Sequence, residues 1–198
     1  MGRFFISGAD ARVRGAPAGP STTYPTGEES MIKIGEALPA VTLMEYSEVE
    51  GGGCSIGPNP VDVAKASAGK TIALFAVPGA FTPTCSAKHV PGYVEQAEAF
   101  KAAGVDEIWC LSVNDAFVMG AWARDQKTDG KVRMLADGDA AFAKATGLTL
   151  DLNGKGLGLR SNRYSMLVKD GKVASLNIEA PGKFEVSDAD TLLAQARG

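Results

Sequence analysis

A single histidine, three cysteines and no C-x-x-C pair in 198 residues remove several chemistries at once. A multi-histidine metal site is impossible, any catalytic triad would have to use His89, and a zinc site built from Cys54, Cys85, Cys110 and His89 would lack the paired spacing such sites need. An odd set of cysteines is no disulfide framework of the secreted kind and fits a reducing, cytoplasmic compartment. Cations are not in surplus either. Twenty Lys and Arg against 23 Asp and Glu give a formal charge of −3, with nothing to neutralise a phosphate backbone, so nucleic acid is not an expected partner. No window approaches the roughly 18 uninterrupted apolar residues of a membrane span. What is present, 45% hydrophobic and 22% charged residues, is the make-up of one ordinary globular domain.

Residues 1–30, through Pro17, Gly19, Pro20 and Pro25, carry no apolar periodicity and are expected to be a flexible N-terminal extension, a tag, or the product of a start codon assigned upstream of Met31. Phe4, Phe5 and Ile6 are too short a run for a secretory signal, whereas Arg3, Arg12 and Arg14 against Asp10 leave organelle targeting open. From Met31 to Gly198 the pattern is that of one α/β domain. Thr71 to Val77 (TIALFAV) and Glu107 to Val113 (EIWCLSV) read as central parallel strands, joined by a helix with Tyr93, Ala97 and Phe100 on one face and Gly104 as its stop. Asn114 is the expected N-cap of a second helix whose stripe is Phe117, Val118, Ala121 and Trp122, and a short strand near Lys131 to Leu135 follows. Tyr164 to Lys169 and Lys172 to Ile178 flank Asp170-Gly171, the signature of a two-residue hairpin. Ser187, three residues before Asp190, reads as a capping-box start to a last helix through Leu192, Leu193 and Ala196. This order predicts a thioredoxin-like fold, a central mixed sheet with helices on both faces.

The chemistry concentrates where the first apolar strand ends, in Pro78-Gly79-Ala80-Phe81-Thr82-Pro83-Thr84-Cys85. Thr82 suits an N-cap and Pro83 the first helical position, which puts Cys85 in a first turn whose free N–H groups and positive dipole end favour a thiolate. Full ionisation of a thiol with an ordinary pKa near 8.5 gains only about 30-fold at neutral pH, so a catalyst also needs groups that stabilise charge on the leaving atom. The Thr82 hydroxyl is one candidate. The cation is Arg160 or Arg163, both at the entry to a later strand, and spacing does not choose between them. His89, four residues after Cys85, could pair with the thiol but reads better as a structural or pocket-lining residue; Pro91 should kink or break the helix beyond it.

Pro78-x-x-x-Thr82-x-x-Cys85 resembles the peroxidatic motif of the peroxiredoxins. The longer strings PGAFTPTCSAKHVPGYVEQA, CLSVNDAFVMGAWA, KVRMLADG, LDLNGKGLG and RYSMLVKDG are similar to the atypical and plant-type II branch, from about Met31 to the C-terminus. The resemblance implies that Cys85 is the peroxidatic cysteine, oxidised by a hydroperoxide to a sulfenic acid, that the Thr82 hydroxyl donates toward peroxide and thiolate, and that Arg163 polarises the peroxide and stabilises the thiolate. It further implies that Pro78 shields the thiolate and that Gly79 lets the peroxide approach the backbone. No cofactor is implied. Cys110, 25 residues after Cys85, matches the second cysteine of plant-type members and is a possible resolving cysteine, although its run reads as a buried strand. Atypical two-cysteine members carry a resolving cysteine near the start of the last helix, where Ser187 stands here. An external thiol, glutathione with glutaredoxin or thioredoxin, is therefore the expected reductant; Cys54 is an incidental exposed thiol in a glycine-rich loop, and a homodimer is the family's habit. A redox sensor that reacts without sustained turnover is the other function left open, and Lys88, where thioredoxin-type reductases carry a second cysteine, argues against that class.

Overall fold

The computed structural model describes residues 30–48 and 56–198, so the expectations for the N-terminal extension fall almost wholly outside the described residues, as does Cys54. The elements run β1 (Thr42–Ser47), β2 (Gly57–Asp62), α1 (Val63–Ser67), β3 (Thr71–Val77), a π-helical turn (Cys85–His89), α2 (Val90–Glu95), α3 (Ala97–Ala102), β4 (Glu107–Ser112) and α4 (Ala116–Gln126). They continue with β5 (Arg133–Ala136), α5 (Ala141–Ala145), β6 (Thr149–Leu152), β7 (Gly158–Ser161), β8 (Tyr164–Lys169), β9 (Lys172–Ile178) and α6 (Ala189–Ala196). Seven strands form a mixed sheet in the order β2-β1-β5-β4-β3-β8-β9, and β6 and β7 make a separate small ribbon. This is the thioredoxin-like α/β fold.

Alternation along β3 explains the two layers. Ala73, Phe75 and Val77 face a core shared with Tyr93, Phe100, Trp122 and Leu192, while Ile72, Leu74 and Ala76 face another with Trp109, Phe142 and Tyr164. A strand buried on both sides has no polar face, which is why β3 reads as an unbroken apolar run. The β8–β9 hairpin turns at Asp170 (φ +48°) and Gly171 (φ +70°), the pair of left-handed residues a primed turn demands.

Several local expectations need correction. Asp115, not Asn114, caps α4 by accepting from the Val118 N–H at 2.9 Å. The buried face of that helix is Ala116, Met119, Gly120 and Trp122, leaving Phe117 63% exposed. The helix is therefore rotated from the stripe that the apolar pattern suggested, because Gly120 must sit where Tyr46 packs, with any Cβ there only 2.7 Å from the Tyr46 ring. Likewise Asp188, not Ser187, caps α6 by accepting from the Thr191 N–H at 3.0 Å, because Ser187 is buried with a different partner. The helix expected after β3 is interrupted at Gln96, between α2 and α3.

Candidate active site

Strand register gathers distant residues at one end of the sheet. β3 and β4 run parallel with Val77 opposite Ser112, so the segments that follow them, from Pro78 and from Val113, emerge together. β8 runs antiparallel to β3 with Ala76 opposite Tyr164, which brings Arg163, just before β8, to the same end. β9 pairs Ile178 with Tyr164 and delivers Glu179 there as well.

After β3 the chain turns through Phe81, a non-glycine residue at φ +59°, and becomes helical at Pro83. The Ser86 N–H donates to the Thr82 carbonyl at 3.0 Å, so Pro83 holds the first helical position and Cys85 lies in the first turn. The Thr82 hydroxyl does not cap, however. It donates to the Gly79 carbonyl at 2.8 Å and ties the loop to itself, a local competition typical of threonine, so its one hydrogen is not directed at the sulfur or a peroxide as the resemblance implied. The Asn114 side-chain oxygen accepts from the Ala80 N–H at 3.0 Å and from the Ser112 hydroxyl at 2.7 Å, pinning the loop to the end of β4. Gly79 is buried and a side chain there would be crowded: a Cβ would lie 3.2 Å from Thr82 Cγ2 and 3.4 Å from Arg160 Nη1.

From Cys85 to His89 the helix widens, and the Val90 N–H reaches back to the Cys85 carbonyl. Pro91 supplies the reason. It has no N–H to give, so the ladder must skip a rung near it; the π turn absorbs the skip and the helix continues with Pro91 in the first turn of α2. The expected kink or break is thus a local widening at the cysteine itself.

Cys85 is completely buried, and Arg163 Nη2 donates to its Sγ at 3.4 Å. The other arm, Nη1, lies 3.0 Å from His89 Nδ1, and His89 Nε2 lies 3.0 Å from the Ser187 carbonyl. A carbonyl only accepts, so the imidazole proton sits on Nε2 and the Nδ1 lone pair faces the guanidinium. Burial, reinforced by the Arg163 charge, depresses His89 to about 3, so the ring is neutral. The Arg163 guanidinium also lies 5.8 Å over the Phe184 ring and makes no ion pair among the described residues. Arg160, by contrast, gives Nη1 to the Val113 carbonyl at 3.0 Å and Nε to the Leu157 carbonyl at 2.7 Å. Of the two arginines that spacing left level, only Arg163 reaches the sulfur.

Pro78 is half-buried at the end of β3. Cys110 is fully buried in β4, within the same core as Cys85 but not bonded to it, and burial pushes its thiol well above the ordinary range, with the neighbouring Cys85 adding to the effect. Sequence reasoning missed Asn114 as a loop anchor, because an asparagine beside an aspartate after a strand reads as a cap. It gave His89 no specific task and overlooked Glu179 and Phe184, whose only signal is their position past the end of β9.

A buried cysteine at a helix start, bonded by a guanidinium that no carboxylate among the described residues neutralises, is a site for stabilising negative charge on sulfur and on an atom leaving it. The Redoxin family model matches residues 33–193. Peroxiredoxin-2B of Arabidopsis thaliana is 46% identical over 162 residues, covering 82% of this chain and 96% of that protein. The chain is a peroxiredoxin. Reduced Prx3 from Vibrio vulnificus, solved in complex with hydrogen peroxide, is similar at 50% identity and a TM-score of 0.77 over 84% of this chain and 99% of that one. A Burkholderia cenocepacia structure whose name assigns it to the thioredoxin reductases matches with TM-score 0.82 at 60% identity, over 83% of this chain and 97% of that one. As a peroxiredoxin, the chain is a thiol-dependent peroxidase, an oxidoreductase that acts on a peroxide and is recharged by a thiol.

Proposed function

We propose that this peroxiredoxin reduces hydrogen peroxide and small alkyl hydroperoxides through a sulfenic acid on Cys85 and is recycled by an external thiol. The observation that carries the reading is the 3.4 Å contact from Arg163 Nη2 to Cys85 Sγ, made by a guanidinium without a carboxylate partner among the described residues. The Cys85 thiolate attacks one peroxide oxygen, the O–O bond breaks, and the departing alkoxide or hydroxide takes a proton to leave as alcohol or water. Arg163 stabilises charge on sulfur and on the leaving oxygen. Thr82, whose hydroxyl hydrogen is committed to the Gly79 carbonyl, keeps lone pairs to accept from the peroxide O–H. Gly79, without a Cβ, lets the peroxide approach the backbone closely, and Pro78 screens the pocket from water.

Recycling consumes two thiols. The first displaces water from the sulfenic acid to form a mixed disulfide, and the second releases Cys85 as a thiol and carries away the disulfide. Cys110 is an unfavourable internal resolver, since its buried thiol resists ionisation; with Ser187 before α6, this favours glutathione with glutaredoxin, or thioredoxin, as the reductant. A homodimer through the active-site edge is supported by the exposed apolar side chains Phe81, Phe117 and Leu157 around it. Unpaired Cys85 and Cys110 thiols fit a cytoplasmic location, with organelle targeting by residues 1–30 as the alternative.

The name of the Burkholderia neighbour suggests disulfide reduction instead, but Lys88 stands three residues after Cys85, so no vicinal dithiol exists to carry it. Steady-state peroxide consumption with a thiol donor tests the proposal. Many turnovers per enzyme, with glutathione adduct on Cys85 in the mass spectrum of the peroxide-treated protein, are expected. One stoichiometric oxidation followed by arrest would instead mark a sensor.

A further inference from the structure

Glu179, just beyond β9, is 8% exposed and has no cation partner among the described residues. Its Oε1 instead accepts four hydrogen bonds: the N–H groups of Glu185, Val186 and Ser187 at 2.8 Å each and the Ser187 hydroxyl at 2.9 Å. Burial alone would raise its pKa; these donors outweigh that and hold it below the usual carboxylate range, so it is an anion held by amide dipoles. Its own N–H donates to the Arg163 carbonyl at 3.0 Å.

The segment that the carboxylate grips lies largely at the surface. Pro181, Gly182, Lys183, Glu185 and Val186 are exposed. Yet this segment supplies two surfaces to the site. Phe184 packs its ring 4.9 Å from His89 and under the Arg163 guanidinium, and the Ser187 carbonyl accepts from His89 Nε2 and from the Tyr93 hydroxyl, each at 3.0 Å. Each contact fixes the next: carboxylate to amides, carbonyl to imidazole N–H, imidazole lone pair to guanidinium, guanidinium to sulfur. A guanidinium on a long side chain carries several rotatable bonds, and a charge-stabilising donor is effective only when it is already oriented.

We infer that Glu179 is a positioning residue for Arg163, acting through the loop that presents Phe184 and the Ser187 carbonyl and through His89. The kinetic part of this inference rests on the peroxidase reading; the structural part does not. Glu179 touches no reacting atom.

The chain's only histidine makes the test direct, because the imidazole ¹⁵N–¹H spectrum has a single source. In the wild type a slowly exchanging Nε2–H and an accepting Nδ1 are expected. Glu179→Ala should convert this into an exchange-averaged signal and lower the second-order rate with hydrogen peroxide about tenfold, and Glu179→Gln, which keeps an acceptor oxygen, about threefold. In an Arg163→Ala background both factors should vanish. Should Glu179→Ala fail to fold, Glu179→Gln carries the test by the same two readouts. An unchanged histidine signal with an unchanged rate overturns the inference, as does a rate loss equally large without Arg163, which would mark Glu179 as a mere loop anchor. If the wild type shows no peroxide turnover at all, the peroxidase reading falls; the positioning role is then decided by the histidine signal and by Cys85 alkylation with iodoacetamide, which Glu179→Ala should slow only when Arg163 is present.

Discussion

Two arginines at opposite ends of the same parallel strands have opposite surroundings. At the amino end, Arg133 bonds Glu45 through Nε and Nη2 at 3.1 and 2.6 Å and Glu107 through Nη1 at 2.8 Å, over the Trp109 ring, and Lys70 shares Glu107. At the carboxyl end, Arg163 meets a neutral histidine, an aromatic ring and a sulfur. Charge neutralised inside the protein serves cohesion. Charge left without a counterion among the described residues is available to an anion that appears only during reaction, and the neutral state of His89 keeps it so. The Arg163 guanidinium can therefore stabilise a developing charge, whereas Arg133 is occupied by charges already present.

Substitutions can break this contrast, beginning with the greatest effect. Cys85→Ser should abolish peroxide consumption while leaving the circular dichroism spectrum intact. Arg163→Ala should lower the second-order rate about 100-fold with little change in melting temperature, and a near-normal rate there, with loss in Arg160→Ala, would reassign the cation. Arg133→Ala should show the reverse pattern: it removes the bonds to Glu45 and leaves Glu107 with only Lys70 and the Trp109 N–H, costing about 2 kcal/mol of stability in urea titration once partial exposure is allowed for, with the rate per folded molecule unchanged. Acid should act at both ends. An unfolded histidine takes a proton below about 6.5 whereas folded His89 does so only near 3, so the unfolded state binds more protons between these values and stability falls as pH drops through that window. Glu107 is raised by burial but more strongly lowered by Lys70, Arg133 and Trp109, to about 2, so its contribution is lost between its ordinary 4.5 and that value, with the same sign. Urea titrations near pH 7 and pH 4 should differ by at most about 3 kcal/mol from His89, and His89→Gln should flatten the upper part of this slope. The smallest change is expected for Arg160→Ala, which removes two backbone contacts and should lower the rate far less than Arg163→Ala.

Much of this contrast was legible beforehand. The run TIALFAV became β3 at its predicted bounds, the Asp170-Gly171 hairpin formed as read, and Pro83 began the helix that holds Cys85. These depend on local conformational preference and on periodicity, both properties of short segments. Caps were less legible: Asn114 and Asp115 are equally good caps by chemistry, and the choice fell to Asp115 because the loop after β3 needed the Asn114 oxygen. Phe117 looked like core and is exposed, because the demand of Tyr46 for Gly120 turned the helix.

The sequence alone determined the central strands, the β8–β9 hairpin, the helix start that holds Cys85 and the family, since each is carried by a contiguous string whose chemistry does not depend on distant residues. It offered two arginines at one strand entry and left them level. Only the pairing of Ala76 with Tyr164 and of Ile178 with Tyr164 brought Arg163, His89 and the Glu179 loop to one point. Such contacts join residues up to 98 positions apart, as His89 and Ser187 are. They are settled by strand register and core packing, to which no local pattern gives access.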